Sequence, residues 1–187
     1  MSKPSIEIIC EMPKFKVGLE LYVRSLGYEI CPSGQIGVVV DARMGTALRY
    51  LETNPKAKPM LIITDNTCPV YHQCLLHYQP EGILFNGDGS DHIAEAVAAV
   101  QNGQHYNNLP KARIKFSPTD IKIARELARG LQNKEIGLLF ELSPNSAETY
   151  VANVLDKARA ISTDGLIKNR TQFALWFWGQ DHVLDTP

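Results

Sequence analysis

The 187-residue sequence predicts an α/β domain with a parallel sheet in its first half and an all-helical domain in its second half. In the first half, short apolar and β-branched runs alternate with helical periodicity, which is typical of a parallel sheet covered on both faces. In the second half, only helical periods and helix caps occur. Residues 107–115 are polar, contain a proline and lack periodicity, which predicts a linker between domains at 1–106 and 116–187.

Four strands and four helices are predicted in the first half. The strands are the apolar runs at residues 6–9, 36–40, 60–63 and 82–85. The helices are expected at residues 15–26, 47–51, 69–78 and 90–103, the last with Ser90 as its N-cap. Because ligands bind beyond the carboxyl ends of parallel strands, the polar residues at that edge are candidate site residues. They are Cys10, Glu11, Asp41, Thr64 and Asn86.

Helix caps divide the second half into four helices. Ser117, followed by a proline and two polar residues, begins the first helix, and Gly130 ends it. Asn133 is the predicted cap of a short second helix, Ser143 of the third and Thr171 of the last. Two short helices joined by a tight turn are typical of a helix-turn-helix motif.

Composition excludes several classes of protein. Hydrophobic residues make up 44% of the chain and charged residues 21%, as in ordinary globular proteins. No apolar run is long enough to cross a bilayer and no secretory stretch begins the chain, so we expect a cytoplasmic protein with no membrane partner. The four cysteines lack paired spacing, and no catalytic motif occurs, so we predict reduced thiols, no metal, no cofactor and no enzyme activity.

Charge differs slightly between the two halves. Residues 1–110 carry 8 Lys and Arg against 11 Asp and Glu, which gives −3, whereas residues 111–187 carry 11 against 9, which gives +2. An acidic half followed by a basic half is compatible with a regulatory domain joined to an anion-binding domain.

Five motifs in the second half carry a family resemblance. They are F-S-P-T-D at 116–120, A-R-G-L-Q-N-K-E-I at 128–136, L-S at 142–143, V-A-N-V-L-D-K at 151–157 and N-R-T-Q-F-A at 169–174. Together they resemble the C-terminal DNA-binding domain of the LuxR/NarL family of transcription regulators, over about residues 114–178. The resemblance implies a regulator that binds double-stranded DNA as a homodimer. Residues 160–168 exceed the usual family spacing, which predicts a longer helix or an extended loop.

Four short motifs follow one another in the first half, at residues 8–19, 38–44, 63–64 and 82–86. In this order they resemble the receiver domain that precedes such regions in two-component response regulators, with a CheY- or flavodoxin-like sheet. The resemblance places Asp41 at the position of the phosphorylated aspartate and Thr64 at the position of the hydroxyl that senses the phosphoryl group. The acidic pair has become Cys10-Glu11, and Asn86 replaces the usual lysine. With one carboxylate and no cation, the site is expected to bind Mg²⁺ and phosphate poorly, so we predict regulation without conventional phosphorylation. The short spacing before residue 36 predicts that the second receiver helix is missing.

The resemblance also implies which residues contact DNA. The positions of the recognition helix that face bases or phosphates are Ser143, Asn145, Glu148, Thr149 and Asn153. Lys134, Lys157 and Arg170 are expected to contact the DNA backbone. Glu148 stands where the family usually has a lysine. The last helix commonly forms the dimer contact in this family, and we expect Phe173, Trp176 and Trp178 to contribute. Either Trp176 or Trp178 is exposed as an anchor, or the aromatic residues of this helix pack in the core.

One alternative function stays open at this point. In this alternative, the chain is an adaptor that does not bind DNA and docks on another regulator through the receiver-like domain or the C-terminal helix. The acidic Glu148 favours the adaptor, whereas the cap at Ser143 and the N-K-E-I motif favour DNA binding.

Overall fold

The computed structural model describes residues 3–41, 45–54, 58–85, 91–162 and 165–180. Contacts between residues divide the chain into two compact units. Unit 1 consists of Met1–Asn66 with Tyr78–Leu109, and unit 2 consists of Thr67–His77 with Pro110–Pro187.

Unit 1 is built on a five-stranded parallel sheet in which the strands follow chain order. The strands are β1 (Ile6–Ile9), β2 (Ile36–Val40), β3 (Met60–Thr64), β4 (Gly82–Phe85) and β5 (Tyr106–Asn107). In the parts of unit 1 that the structure describes, the helices are α1 (Pro13–Ser25), α2 (Thr46–Thr53) and α4 (Asp91–Gln101). Alternate side chains of β1 to β3 share one core cluster with α1 and α4, as expected for strands buried on both faces.

The segment between α1 and β2 is short and irregular. Its described residues contain no helix, and their sheet pairing is one isolated parallel bridge between Ile30 and Ile6. Gly34 lies so close to β1 that an added Cβ would come within 2.4 Å of the Glu7 backbone nitrogen. The predicted loss of the second receiver helix is therefore confirmed, and the shortened segment runs directly beside β1.

The fifth strand was not predicted from the sequence. Tyr106 and Asn107 pair with Gly82 and Ile83 of β4, so the strand includes the first residue assigned to the linker. Two residues are too few to show strand alternation, and the pairing with β4 is a long-range contact.

The described residues of unit 2 form five helices. They are α3 (Pro69–His77), α5 (Pro118–Ala128), α6 (Asn133–Leu139), α7 (Pro144–Ile161) and α8 (Arg170–Phe177). Helix α7 continues through Ile161 for 18 residues, so the expected extra residues begin by lengthening this helix.

Helix α3 groups with the C-terminal helices although it comes from the first half of the chain. The Gln73 side chain donates to the carbonyl of Ile114 at 3.0 Å and accepts from the amide of Phe116 at 2.9 Å. The Tyr71 ring meets the Phe177 ring edge-on at 5.5 Å between centroids. The division into units thus differs from the linear domain boundaries expected from the sequence, because these contacts are far apart along the chain.

The structure confirms two predicted helix caps and corrects two others. Ser117 and Ser143 accept backbone hydrogen bonds at the starts of α5 and α7. At α6, Gln132 occupies the N-cap, and the predicted cap, Asn133, is already helical.

At α8, the Asn169 side chain accepts from the amide of Gln172 at 3.0 Å, and the predicted cap, Thr171, lies inside the helix. In both places a neighbouring polar residue competes for the cap, and the extended backbone before the helix decides which one occupies it. Ser90, the predicted cap of α4, lies outside the described residues.

Candidate nucleic-acid interface and carboxylate pocket

Helix α7 has one buried and one exposed face. Its buried residues are Ala147, Val151, Val154 and Ala158. The opposite face carries exposed polar and small residues: Asn145, Glu148, Thr149, Ala152, Asn153 and Asp156. This division follows the helical period, and it leaves every base-facing position expected from the sequence open to solvent.

The turn between α6 and α7 fixes the start of the exposed helix. The amide of Leu142 donates to the carbonyl of Gly137 at 2.8 Å. A Cβ on Gly137 would lie 3.3 Å from the Leu142 carbonyl oxygen and 3.4 Å from Ala147 Cβ, so a glycine suits this close approach. Ser143 Oγ accepts from the amide of Ser146 at 3.1 Å and satisfies one free donor of the first turn.

Three basic residues are expected to contact the DNA backbone, and two of them already have partners inside unit 2. Lys157 Nζ lies 2.6 Å from Asp120 Oδ2, and its ammonium is 5.7 Å from the centre of the Phe116 ring. The Arg170 guanidinium donates to the side chains of Gln132 and Asn133. Lys134 is exposed and has no hydrogen bond or ion pair within the described part of the chain.

Asp120 anchors the start of α5. Its Oδ2 accepts from the amide of Ser117 at 2.8 Å and from the Ser117 hydroxyl at 2.7 Å, in addition to Lys157. Burial raises the pKa of this carboxyl, but the hydrogen bonds from Lys157 and Ser117 outweigh burial, and its pKa lies below the usual 3.8. Asp120 therefore stays charged, and it holds Lys157 against α5.

The aromatic residues of α8 form an internal cluster. Phe173 is fully buried and Trp176 is 5% exposed. Trp178 is half-buried, donates from Nε1 to the Ala128 carbonyl at 2.9 Å and contacts the Tyr71 ring edge-on. The expectation of an exposed tryptophan anchor is wrong, because α3 and α5 supply contacts that the sequence of α8 does not reveal. A role for these three residues in a dimer remains a prediction.

A small cavity lies at the carboxyl edge of the sheet in unit 1. It has a volume of about 160 Å³ and is lined by Met12, Phe15, Val40, Asp41, Ile63, Thr64 and Asp65. Asp41 directly follows β2 and is only 7% exposed. Its Oδ1 accepts from the amide of Ala47 at 3.1 Å, and its Oδ2 accepts from the Thr64 hydroxyl at 3.0 Å. Both carboxylate oxygens are therefore bonded to protein donors.

The polar residues after β1 also have protein partners. Glu11 pairs with Arg49 of α2 at 3.2 Å, and both side chains are exposed. Cys10 Sγ lies 3.6 Å from the Met12 carbonyl oxygen. The structure thus brings Asp41 and Thr64 together and pairs the remaining acidic candidate with an arginine. Asn86 lies outside the described residues.

Residues 115–174 match the model of the luxR family of bacterial regulatory proteins. This segment is a luxR-family domain. The whole chain has the fold of the response regulator RcsB, although sequence identity is low. A structure of RcsB with DNA gives a TM-score of 0.57 at 15% identity and covers 93% of this chain and 97% of that one. RcsB from Salmonella enterica serovar Typhimurium, bound to promoter P1flhDC with the phosphomimetic BeF3⁻, gives 0.58 at 15% identity, with 95% and 98% covered.

No curated protein matches the sequence. In the part of the chain that the structure describes, no helix is both long and apolar enough to cross a membrane. Among the same residues, no group of three or more His, Cys, Asp or Glu side chains is arranged to hold a metal ion.

Sequence analysis missed three features around these sites. Arg49 pairs with Glu11, and Asp120 pairs with Lys157, yet the partners lie 38 and 37 residues apart. Leu138 of α6, in the luxR-family domain, is 74% exposed. The sequence offers no short-range signal for the two ion pairs. The exposure of Leu138 follows from helix phase, because Ile136 takes the buried position.

Proposed function

We propose that this chain is a sequence-specific transcription regulator that binds double-stranded DNA as a homodimer and does not require phosphorylation of Asp41. The observation that carries the proposal is the open face of α7 within the luxR-family domain. The RcsB structures with DNA support it by analogy, since they share the fold of the whole chain.

In the proposed complex, α7 enters the major groove with its outer face toward the bases. Asn145, Thr149 and Asn153 offer hydrogen-bonding groups to base edges. The helix N-terminus, capped by Ser143, points its remaining amides toward a phosphate. A twofold dimer places the second recognition helix one turn of DNA away, so half-sites about 10 base pairs apart are expected.

Few free cations are available for phosphate contacts. Lys134 and Lys168 are exposed and have no side-chain partner among the described residues, whereas Lys157 and Arg170 are occupied. Each neutralised phosphate contributes about −0.9 to the slope of log K against log salt, so a dimer with two contacts per protomer has a slope of about −4. We therefore expect moderate affinity with a shallow salt dependence.

Fluorescence anisotropy of the full chain tests DNA binding without any phosphodonor. The probe is a labelled duplex from the chain's own promoter, compared with a scrambled duplex at two salt concentrations. Selective binding that weakens on Lys134→Ala supports the proposal. The matched control is Lys122→Ala, which removes an exposed lysine from α5 and leaves the α7 face unchanged. Equal weak binding to both duplexes argues against it.

The bonded state of Asp41 supports independence from phosphorylation. Transfer to Asp41 requires a nucleophilic carboxylate and a metal to offset the phosphate charge. The hydrogen bonds from Ala47 and Thr64 lower the nucleophilicity of both Asp41 oxygens, and Glu11, the other carboxylate of the site, is paired with Arg49. Incubation with acetyl phosphate and Mg²⁺ is expected to leave the intact mass unchanged. Stoichiometric modification that disappears in Asp41→Ala, and persists in the control Asp65→Ala, contradicts this part of the proposal.

The adaptor function is the second candidate. Two carboxylates, Glu148 and Asp156, lie on the α7 face, and exposed Leu138 and Leu139 lie on α6. Acidic and apolar side chains favour a protein partner over a polyanion. If the chain binds no DNA but co-purifies with another regulator, the adaptor function replaces the first proposal.

A further inference from the structure

Glu148 differs from Asp156, the other acidic residue on the outer face of α7, because its carboxylate is open. It is exposed on the outer face of α7 and makes no hydrogen bond or ion pair with the residues that the structure describes. The residues one helical turn away are Pro144, Asn145, Val151 and Ala152, and none is a cation. Neither helical spacing nor a long-range contact neutralises this carboxylate.

Two other polar groups of the α7 face have partners within the helix. Asp156 is paired with Arg159 at 2.8 Å, and the Thr149 hydroxyl donates to the Asn145 carbonyl at 2.9 Å. One helical turn toward the C-terminus, the exposed residue Ala152 carries only a methyl group. The two carboxylate oxygens of Glu148 are therefore unused acceptors, and the small side chain of Ala152 leaves room for a donor to approach them.

An ionised carboxylate accepts hydrogen bonds and cannot donate them. In the major groove, guanine presents two acceptors, adenine a donor beside the N7 acceptor, thymine an acceptor and a methyl group, and cytosine the N4 amino donor. Cytosine N4 thus offers a donor without an adjacent acceptor on the same base. A carboxylate is repelled at guanine and thymine oxygens and disfavoured at adenine N7.

We infer that Glu148 selects a cytosine in each half-site of the DNA. The inference rests on the proposed DNA-binding function and assigns base specificity within it. Because the carboxylate also repels phosphate, it weakens binding to every duplex and is compensated only where N4 donates to it. Glu148 thereby raises selectivity while lowering overall affinity.

The experiment is selection from a randomised pool of double-stranded DNA with the full chain. Wild type, Glu148→Gln and Glu141→Gln are compared at one salt concentration. Glu141 is exposed and lies just before α7, so its substitution removes one nearby negative charge without changing the α7 face. Both variants lose one negative charge, and only Glu148→Gln changes the candidate cytosine contact.

Wild type and Glu141→Gln are expected to select sites with a cytosine at one fixed position per half-site, favoured by about five- to tenfold over other bases. Glu148→Gln is expected to lose this preference and turn toward adenine, whose N6 and N7 suit the glutamine amide. The rest of the selected motif stays the same.

Two outcomes overturn the inference, and they are distinguishable. If Glu148→Gln selects the wild-type motif with its cytosine preference intact, DNA binding stands and Glu148 has no role in specificity. If wild type enriches no sequence at all, the proposed function fails and the inference fails with it.

Discussion

Replacing Asp120 by alanine is expected to destabilise unit 2 by about 2–3 kcal/mol. Asp120 accepts three hydrogen bonds, two from Ser117 and one from Lys157. Loss of half of the capping box costs about 1 kcal/mol, and loss of a buried charged acceptor costs about 1.5 kcal/mol more. The ion pair adds at most about 0.5 kcal/mol, because the Lys157 side chain is 38% exposed and rehydrates easily.

Urea denaturation followed by tryptophan fluorescence measures this loss. Both tryptophans of the chain, Trp176 and Trp178, lie in α8 or at its end, so the signal reports unit 2. With a typical urea dependence of about 1–3 kcal/mol per molar, the midpoint of Asp120→Ala falls by about 1–2 M. The control is Asp156→Ala, whose side chain is 70% exposed and whose removal costs at most about 0.5 kcal/mol. Equal midpoints for the two variants refute the reasoning.

The stabilisation by Asp120 also depends on pH. Its pKa is lowered in the folded state, because hydrogen bonds from Lys157 and Ser117 outweigh burial. A lowered pKa gives stability that is complete above the unfolded value of about 4 and is lost as pH falls through the folded value. The stability difference between wild type and Asp120→Asn is therefore expected to be largest at neutral pH and to shrink below about pH 4. A difference that is constant from pH 7 to pH 3 contradicts the assigned charge state.

Three further substitutions test other parts of the structure. Gly34→Ala places a Cβ within 2.4 Å of the β1 backbone, so we expect a loss above about 3 kcal/mol in unit 1, seen as faster amide hydrogen exchange in β1 and β2. Thr64→Val removes the hydroxyl that donates to Asp41 and is expected to cost about 1–3 kcal/mol by far-UV circular dichroism, whereas Thr64→Ser keeps the bond and most of the stability. Trp178→Phe loses the hydrogen bond to Ala128 and lowers the stability of unit 2 by about 1 kcal/mol, measured through the remaining tryptophan; an unchanged midpoint shows that the bond contributes nothing.

Local patterns in the sequence predicted most of the fold. The runs that became β1 to β4 are apolar and β-branched over four or five residues, and Ser117 and Ser143 have the spacing of helix caps. Strand β5 has two residues, too short for any period. The caps at Gln132 and Asn169 lie one and two residues before the predicted caps, and the backbone geometry at the start of each helix, which the sequence does not show, decides the position.

The sequence predicted which candidate residues are exposed, but it did not predict which residues they bond to. The exposed face of α7 follows from helical phase alone, so Asn145, Glu148 and Asn153 were found from the sequence. The partners of Lys157 and Arg170 lie 37 or more residues away along the chain. Long-range pairing of this kind depends on tertiary packing, which periodicity and spacing do not encode.

The grouping of α3 with unit 2 limits how freely the two halves of this chain can be exchanged. Chains of this kind are modular when each half is one uninterrupted stretch, since a single recombination joint then transfers a complete unit. Here one segment of unit 2, Thr67–His77, which contains helix α3, is encoded between strands β3 and β4 of unit 1. A joint in the 107–115 segment transfers the helix-turn-helix without Gln73 and Tyr71, which bond the start of α5 and the aromatic end of α8. The two halves are therefore expected to be inherited together, with substitutions in α3 matched by substitutions in α5 and α8.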